Sequence, residues 1–289
     1  MDDSTDLMPM SCYLDEDLEA LRRDRPMGHL HLAGLDALVD GIRPRLTIIA
    51  AAPGAGKTSL LSQILDDAAS DGIPTVFFEL ELSRSTILAK SLARLDGGRL
   101  GVNGLGDDAL DEAGRAELIA TSDDYRRSIA PSIRIVDGPS DLAAIESAVG
   151  RLTDMTGRPV VVGIDYLQVI PVPDIGVVDD LLSLRRVAQT IAGMVRHHGC
   201  SVFALSSVSR QNYRGATDLN AIGGCSSFEY ASDAVAFINV DSSRDEQQRN
   251  YERRDRPVTL SLLKNRYGPT GNVRLTFDTT HARFLERTR

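Results

Sequence analysis

Tryptophan is absent from this 289-residue chain, aromatic residues make up only 5% of it, and there are three cysteines. Cys12, Cys200 and Cys225 lie far apart, are odd in number and have no metal-ligand spacing. They form neither a disulfide framework nor a structural zinc site, and they point to a reducing compartment. Cys200 precedes an apolar run and is expected in or near the core. No apolar stretch approaches the roughly 18 residues of a membrane span. The opening MDDSTD is acidic, where a signal peptide is basic and then apolar. A cytoplasmic protein without membrane contact is therefore expected. Positive charge is also in deficit. With a formal net charge of −9, bulk charge does not recruit nucleic acid, although a locally basic channel can sit inside an acidic protein. What remains is globular: 42% apolar and 25% charged residues, in a length that holds one large α/β domain or two small ones.

Residues 46–61, LTIIAAAPGAGKTSLL, organise the rest. An apolar run (46–50) enters a turn with Pro53, Gly54 and Gly56, then Lys57 and Thr58, then a helical pattern from Leu60. That is the strand, loop and helix order of a P-loop. Glycine lets backbone N–H groups converge on phosphate oxygens at the positive end of the following helix. The cradle is Ala52, Pro53, Gly54, Ala55, Gly56, Lys57, Thr58 and Ser59. Lys57 is suited to the β- and γ-phosphates of a triphosphate, and the Thr58 hydroxyl to Mg²⁺. The first position of G-x-x-x-x-G-K-[ST] is Ala51 here.

Upstream, a short helix is expected at 11–23. Leu14, Leu18 and Leu21 share a face, Asp15, Glu16 and Asp17 lie early, and Arg22 and Arg23 lie late, as the helix dipole favours. Pro26 and Gly28 end it. A helix this short does not bury three leucines alone, so it docks on its own domain or on a neighbouring subunit. Another short helix is expected at 34–41. Downstream, strands at 75–80, 133–136, 160–165 and 201–205 alternate with helices at 58–70, 83–95, 108–119, 140–155 and 179–197. The last of these turns Leu181, Leu184, Ala188, Ile191 and Val195 to the core. Strands that are apolar throughout imply a parallel sheet covered on both faces, with ligands at the carboxyl edge of the strands. After Asp218, strands at 234–239, 259–263 and 273–277 follow one another without helices, as a β-rich extension of the same sheet. Two parts are expected: an arm at 1–27 and an α/β domain at 28–289.

Residues 160–165, VVVGID, fit the strand whose terminal acid, Asp165, organises the Mg²⁺ shell of such a site. Glu79 and Glu81 fall on one side of an extended strand; the later one is nearer the γ-phosphate, and Glu81 is assigned as the general base that orients the attacking water.

The segments AAAPGAGKT, FELELS, IDYLQVI, FALSSVSR and LLKNRYGPTGNVRLTF resemble, in order and approximate spacing, the C-terminal ATPase domain of DnaB-type replicative helicases. GLDALVDGIRPRLTIIAA, before the P-loop, is similar to that family as well. Over about residues 28–285 the resemblance implies a RecA-like fold, hydrolysis of ATP with Mg²⁺, and a homo-oligomeric ring, expected as a hexamer. It further implies movement along single-stranded DNA and nucleotide sites between subunits. By position, Lys57 and Thr58 match the family's phosphate-loop pair, Glu81 its catalytic glutamate, Asp165 its metal-organising acid and Gln168 the glutamine after IDYL. Lys264 and Arg266 match the basic pair that reaches into the neighbouring subunit's site. Such a cation contributes about 10³ to 10⁵ in rate in other NTPases.

The departures bear on DNA. A family glutamine that senses the γ-phosphate is replaced by the shorter Ser207, and the loop at 221–226 reads AIGGCS, without the family's acids and arginine. Between Ser207 and Asp233 the only cations are Arg210 and Arg214, the candidate phosphate contacts; no aromatic stacking platform is evident, with Tyr213 and Phe228 as candidates. Replicative members carry an additional N-terminal domain; here about 27 residues precede the ATPase core, and the helix at 11–23 corresponds to their linker helix. The first reading is a ring-forming helicase or translocase on single-stranded DNA. The second is a derived oligomeric ATPase that works on or with a protein partner and has lost DNA binding and unwinding. A non-hydrolysing scaffold is disfavoured by Glu81 and Arg266.

Overall fold

In the computed structural model, residues 8–106, 108, 110–172, 180–208, 226–241 and 247–287 are described. They form one nine-stranded sheet of order β3-β2-β4-β5-β1-β6-β7-β8-β9. Its parallel part comprises β1 (Leu46–Ala51), β2 (Thr75–Glu79), β3 (Ile133–Asp137), β4 (Val161–Asp165), β5 (Ser201–Ser207) and β6 (Ala234–Val240). Each strand alternates its apolar side chains between two faces. Ile49 packs with Phe77, Val161, Phe203 and Leu205 against α3 (Lys57–Ser70), through Leu60, Leu61, Ile64 and Leu65. On the other face Ile48, Val76, Val162 and Ala204 pack against α6 (Leu142–Thr156) and α7 (Asp180–His198). Both faces are covered, which is why these strands read as unbroken apolar runs.

On α7, Ala188, Ile191 and Val195 are buried and Leu184 is half-buried, as its periodicity predicts; the Leu181 side chain lies outside the described residues. Cys200 is fully buried. At α4 (Arg84–Asp96), Ser83 caps the first turn by accepting the Thr86 N–H. The helix predicted at 108–119 is instead α5 (Glu112–Ser128). Asp111 accepts the Gly114 N–H at 2.8 Å and fixes the start there. Buried Thr121 and Tyr125 carry the helix past the predicted end.

The carboxyl-terminal part differs most from expectation. Antiparallel β7 (Asp255–Asn265), β8 (Gly271–Asp278) and β9 (Arg283–Glu286) extend the sheet from β6. A short helix, α9 (Gln247–Glu252), intervenes between β6 and β7, where a direct connection was predicted; α8 (Ser226–Ala231) precedes β6. Near the amino terminus α1 (Leu14–Arg23) leaves Leu14, Leu18 and Leu21 exposed, and α2 (Ala33–Val39) leads to β1.

Candidate active site

The parallel register brings the expected residues to one edge. Ala51, the last residue of β1, is level with Ser207 of β5, and Glu79 of β2 is level with Asp165 of β4. The P-loop leaves that edge. Pro53 and Gly54 are exposed at its tip, Ala55 is buried, and Gly56 caps α3 with φ of 97°. A Cβ on Gly56 would lie 2.8 Å from Phe277 and 2.9 Å from Phe284, whose rings stack at 4.4 Å. Glycine is required there by conformation and by space. Beneath the loop, a Cβ on Gly163 would meet Leu65 at 2.4 Å, so a bare backbone in β4 lets α3 seat closely on the sheet.

Thr58 Oγ1 donates to Asp165 Oδ2 at 2.6 Å. Asp165 is buried, which pushes its carboxyl above the ordinary aspartate range; the Thr58 hydrogen bond and the Lys57 and Lys90 charges oppose this, and Glu81 adds to it. A hydroxyl beside a buried carboxylate with incomplete charge compensation is a hard-oxygen donor pair that suits Mg²⁺. Among the described residues no group of three or more His, Cys, Asp or Glu could hold a metal by itself. A Mg²⁺ carried in on phosphates needs only one or two protein oxygens.

Glu79 and Glu81 separate. β2 stops at Glu79, whose side chain is fully buried, while Glu81 stands exposed in the bend beyond. Strand alternation therefore does not extend to Glu81, contrary to the sequence reading. Glu79 Oε1 accepts the N–H groups of Glu81 (3.0 Å) and Leu82 (2.7 Å). Burial first, then the Asp165 charge, push the Glu79 carboxyl up to about 7. Sequence reasoning missed Lys90 of α4. Its ammonium lies 3.4 Å from Ser59 Oγ, and burial lowers its pKa, with Glu79 and Asp165 acting in the opposite direction.

Gln168, in the turn after β4, holds the end of β5, donating to Ser206 Oγ at 2.7 Å and accepting the Ser207 N–H at 3.4 Å. Also unforeseen, Arg256 donates to the Gly54 carbonyl at 2.7 Å, with its guanidinium 5.8 Å from the centre of the Tyr251 ring. Tyr251 comes within 3.8 Å of the place a Gly54 Cβ would occupy. These residues are far from the P-loop in sequence, and no local motif marks them.

Lys264 and Arg266 are not with this cluster. Asn265 is level with Ala234, which is level with Thr47, so both cations lie where β1 begins. The P-loop follows its other end, about 13 Å away along the strand. Lys264 Nζ is held by the carbonyls of Glu229 and Ser232 (2.7 Å for the latter) at the end of α8. Arg266 donates to Asp233 Oδ1 at 3.2 Å and to the Tyr230 carbonyl at 2.7 Å. Arg210, Arg214 and Tyr213, like the rest of residues 173–179 and 209–225, lie outside the described residues. Phe228, the other aromatic considered for stacking, is fully buried and unavailable to a base. Among the described residues no helix is long and apolar enough to cross a membrane.

Comparison with known proteins agrees with this fold. The profile of the DnaB-like helicase C terminal domain matches residues 29–286. The chain is 29% identical over 256 residues to the replicative DNA helicase DnaB of Treponema pallidum (strain Nichols), covering 88% of this chain and 55% of that protein. It is 27% identical over 262 residues to that of Pasteurella multocida (strain Pm70), covering 86% and 53%. It thus spans about half the length of the curated relatives it matches. Among solved structures, one described as an ATPase domain superposes with a TM-score of 0.82 at 20% identity, over 97% of this chain and 99% of that one. A DnaB-like replicative helicase, described with its interactions with primase, gives 0.82 at 20% identity over 96% and 68%. With a RecA-like sheet, a P-loop and its acids on one edge, and a family match over nearly the whole chain, this protein belongs to the DnaB-like helicase C-terminal domain family.

Proposed function

We propose that this chain is the motor module of a ring, expected as a hexamer, that hydrolyses ATP with Mg²⁺ and moves on single-stranded DNA. The observation that carries the reading is the separation of the catalytic parts. The cradle, Thr58, Asp165 and Glu81 gather at one edge of the sheet, while Lys264 and Arg266 stand at the other. A site completed by cations from a second copy reconciles that division with one reaction, and head-to-tail repetition of such a contact closes a ring.

Within one copy, the P-loop N–H groups and Lys57 bind the phosphates, and Thr58 and Asp165 hold the metal. Bound Mg²⁺ supplies charge neutralisation on the phosphate oxygens. Glu81, exposed beyond β2, orients the water. Gln168, just after β4, holds the end of β5 through Ser206 and Ser207, close in sequence to Arg210 and Arg214, and so couples the nucleotide site to the residues proposed to contact the strand. Arg256 and Tyr251 flank the P-loop and form a platform for the base. The exposed leucines of α1, on the arm that precedes residue 28, dock on the neighbouring copy.

Steady-state ATP hydrolysis with and without single-stranded DNA tests this reading. Stimulation by the strand, with binding that weakens as salt rises, is expected. Hydrolysis indifferent to the strand, with no salt-sensitive binding, contradicts it and favours a partner protein as the ring's target.

A further inference from the structure

Glu79 has no role in the cradle, holds no predicted metal position and contributes no exposed surface, yet among the described residues it is one of the few charged side chains that are completely buried. We infer that Glu79 is a positioning residue: its carboxylate folds the bend after β2 and thereby aims Glu81 at the attacking water. The inference rests on the assignment of Glu81 given above.

The geometry is specific. A parallel strand continuing past Glu79 would turn its N–H groups toward a neighbouring strand, but β3 and β4 end level with Glu79, at Asp137 and Asp165. The N–H groups of Glu81 and Leu82 therefore lose ladder partners just where the chain must leave the sheet. One oxygen, Glu79 Oε1, takes both. Leu80 donates its N–H to the Asp165 carbonyl, so residues 80, 81 and 82 are pinned in succession, two of them by the Glu79 side chain. The next residue, Ser83, already caps α4. Glu81 is thus the exposed side chain of a backbone segment fixed at every position around it, which is what a general base within reach of a phosphate requires. Glu79 is shielded from water entirely, and its other oxygen, Oε2, is buried with no hydrogen-bond partner, so the carboxyl acts as an acceptor through Oε1 alone, toward the bend.

The test compares Glu79→Gln, which keeps an oxygen acceptor of the same reach, with Glu79→Ala and Glu79→Leu, which remove it; Glu81→Gln runs beside them. Measured are kcat, KM for ATP, ADP affinity by a fluorescent analogue, and thermal stability. Glu79→Gln is expected to stay within about threefold of the parent in kcat. Glu79→Ala and Glu79→Leu are expected to lose on the order of 10²-fold in kcat, the size of effect an ångström-scale misplacement produces, with ADP affinity unchanged. Full turnover in Glu79→Ala or Glu79→Leu overturns the inference, as does a Glu79→Gln protein that is folded but as slow as those two. If Glu81→Gln keeps full turnover, the assignment of Glu81 itself falls, and the positioning role with it. Should Glu79→Ala not fold, Glu79→Leu and Glu79→Gln decide.

Discussion

Thr58 Oγ1 and Asp165 Oδ2 are 2.6 Å apart although 107 positions separate the two residues in the chain. The bond forms because α3 starts directly above the end of β4, with Leu65 pressed onto Gly163. It joins the two residues proposed to hold the metal. Removing the Thr58 hydroxyl leaves the buried Asp165 oxygen unpaired. Thr58→Ala should destabilise the nucleotide-free protein by about 1–3 kcal/mol, the cost of leaving a buried acceptor without its donor. Chemical denaturation measures this, and the same variant should require far more Mg²⁺ for half-maximal hydrolysis.

At Gly56 backbone and packing requirements coincide. Its φ of 97° is unfavourable for any residue with a Cβ, and that Cβ would meet two stacked phenylalanines. Gly56→Ala should cost at least about 1–3 kcal/mol in strain alone. It should also abolish nucleotide binding, because relief of the contact moves the loop that carries Lys57. A melting curve together with ADP titration tests this; unchanged ADP affinity would mean that the loop tolerates the shift.

A pH dependence of stability arises behind α3. Burial, and the charges of Asp66 and Asp71, raise the Asp67 carboxyl to about 6, with His31 and Arg94 opposing. At His31 burial lowers the pKa, but the hydrogen bond to Asp71 and the charges of Asp67, Asp71 and Asp36 outweigh it and leave the imidazole raised. Both groups hold protons more tightly when folded than when unfolded. Their contribution is therefore fully present at low pH and is lost as pH rises through about 6 and then through the raised His31 value. Asp67→Asn should flatten the fall in melting temperature between about pH 4 and pH 6, the window between the unfolded and folded values of that carboxyl. A parallel slope in parent and variant contradicts this.

The strands and the P-loop were legible because their signals are local: unbroken apolar runs for a sheet buried on both faces, and a glycine turn before Lys57-Thr58. The four-residue β9 was not, since its pairing with β8 is specified by Phe284 stacking on Phe277 rather than by its own pattern. Helix α5 was misplaced because its cap, Asp111, sits among other acids that look equally suitable. At the proposed site, the placement of Lys57 and Thr58 at the start of α3 and of Asp165 at the end of β4 was readable from local pattern. Glu79 was not distinguishable from Glu81 by alternation, because the strand ends between them. Arg256, Tyr251 and Lys90 come to the site only through tertiary packing, which no single segment records.

The α1 leucines offer a separate test of assembly. Leu14, Leu18 and Leu21 lie on one face and are all exposed. If they dock on a neighbour, Leu18→Glu should shift the protein toward monomer in sedimentation while leaving the melting temperature of the monomeric fraction unchanged. A lowered melting temperature with unaltered assembly would place their docking site within the same copy.

The most direct test of a shared site mixes two inactive variants. Lys57→Ala lacks a working cradle and Arg266→Ala lacks the cation at the opposite sheet edge, so each alone should be without appreciable turnover. In an equimolar mixture that exchanges subunits, about a quarter of head-to-tail interfaces pair an intact cradle with an intact arginine. ATP hydrolysis should therefore reappear at a corresponding fraction of the parent rate. A mixture as inactive as its components, although both assemble, or an Arg266→Ala protein with full activity, would contradict a site shared between two copies.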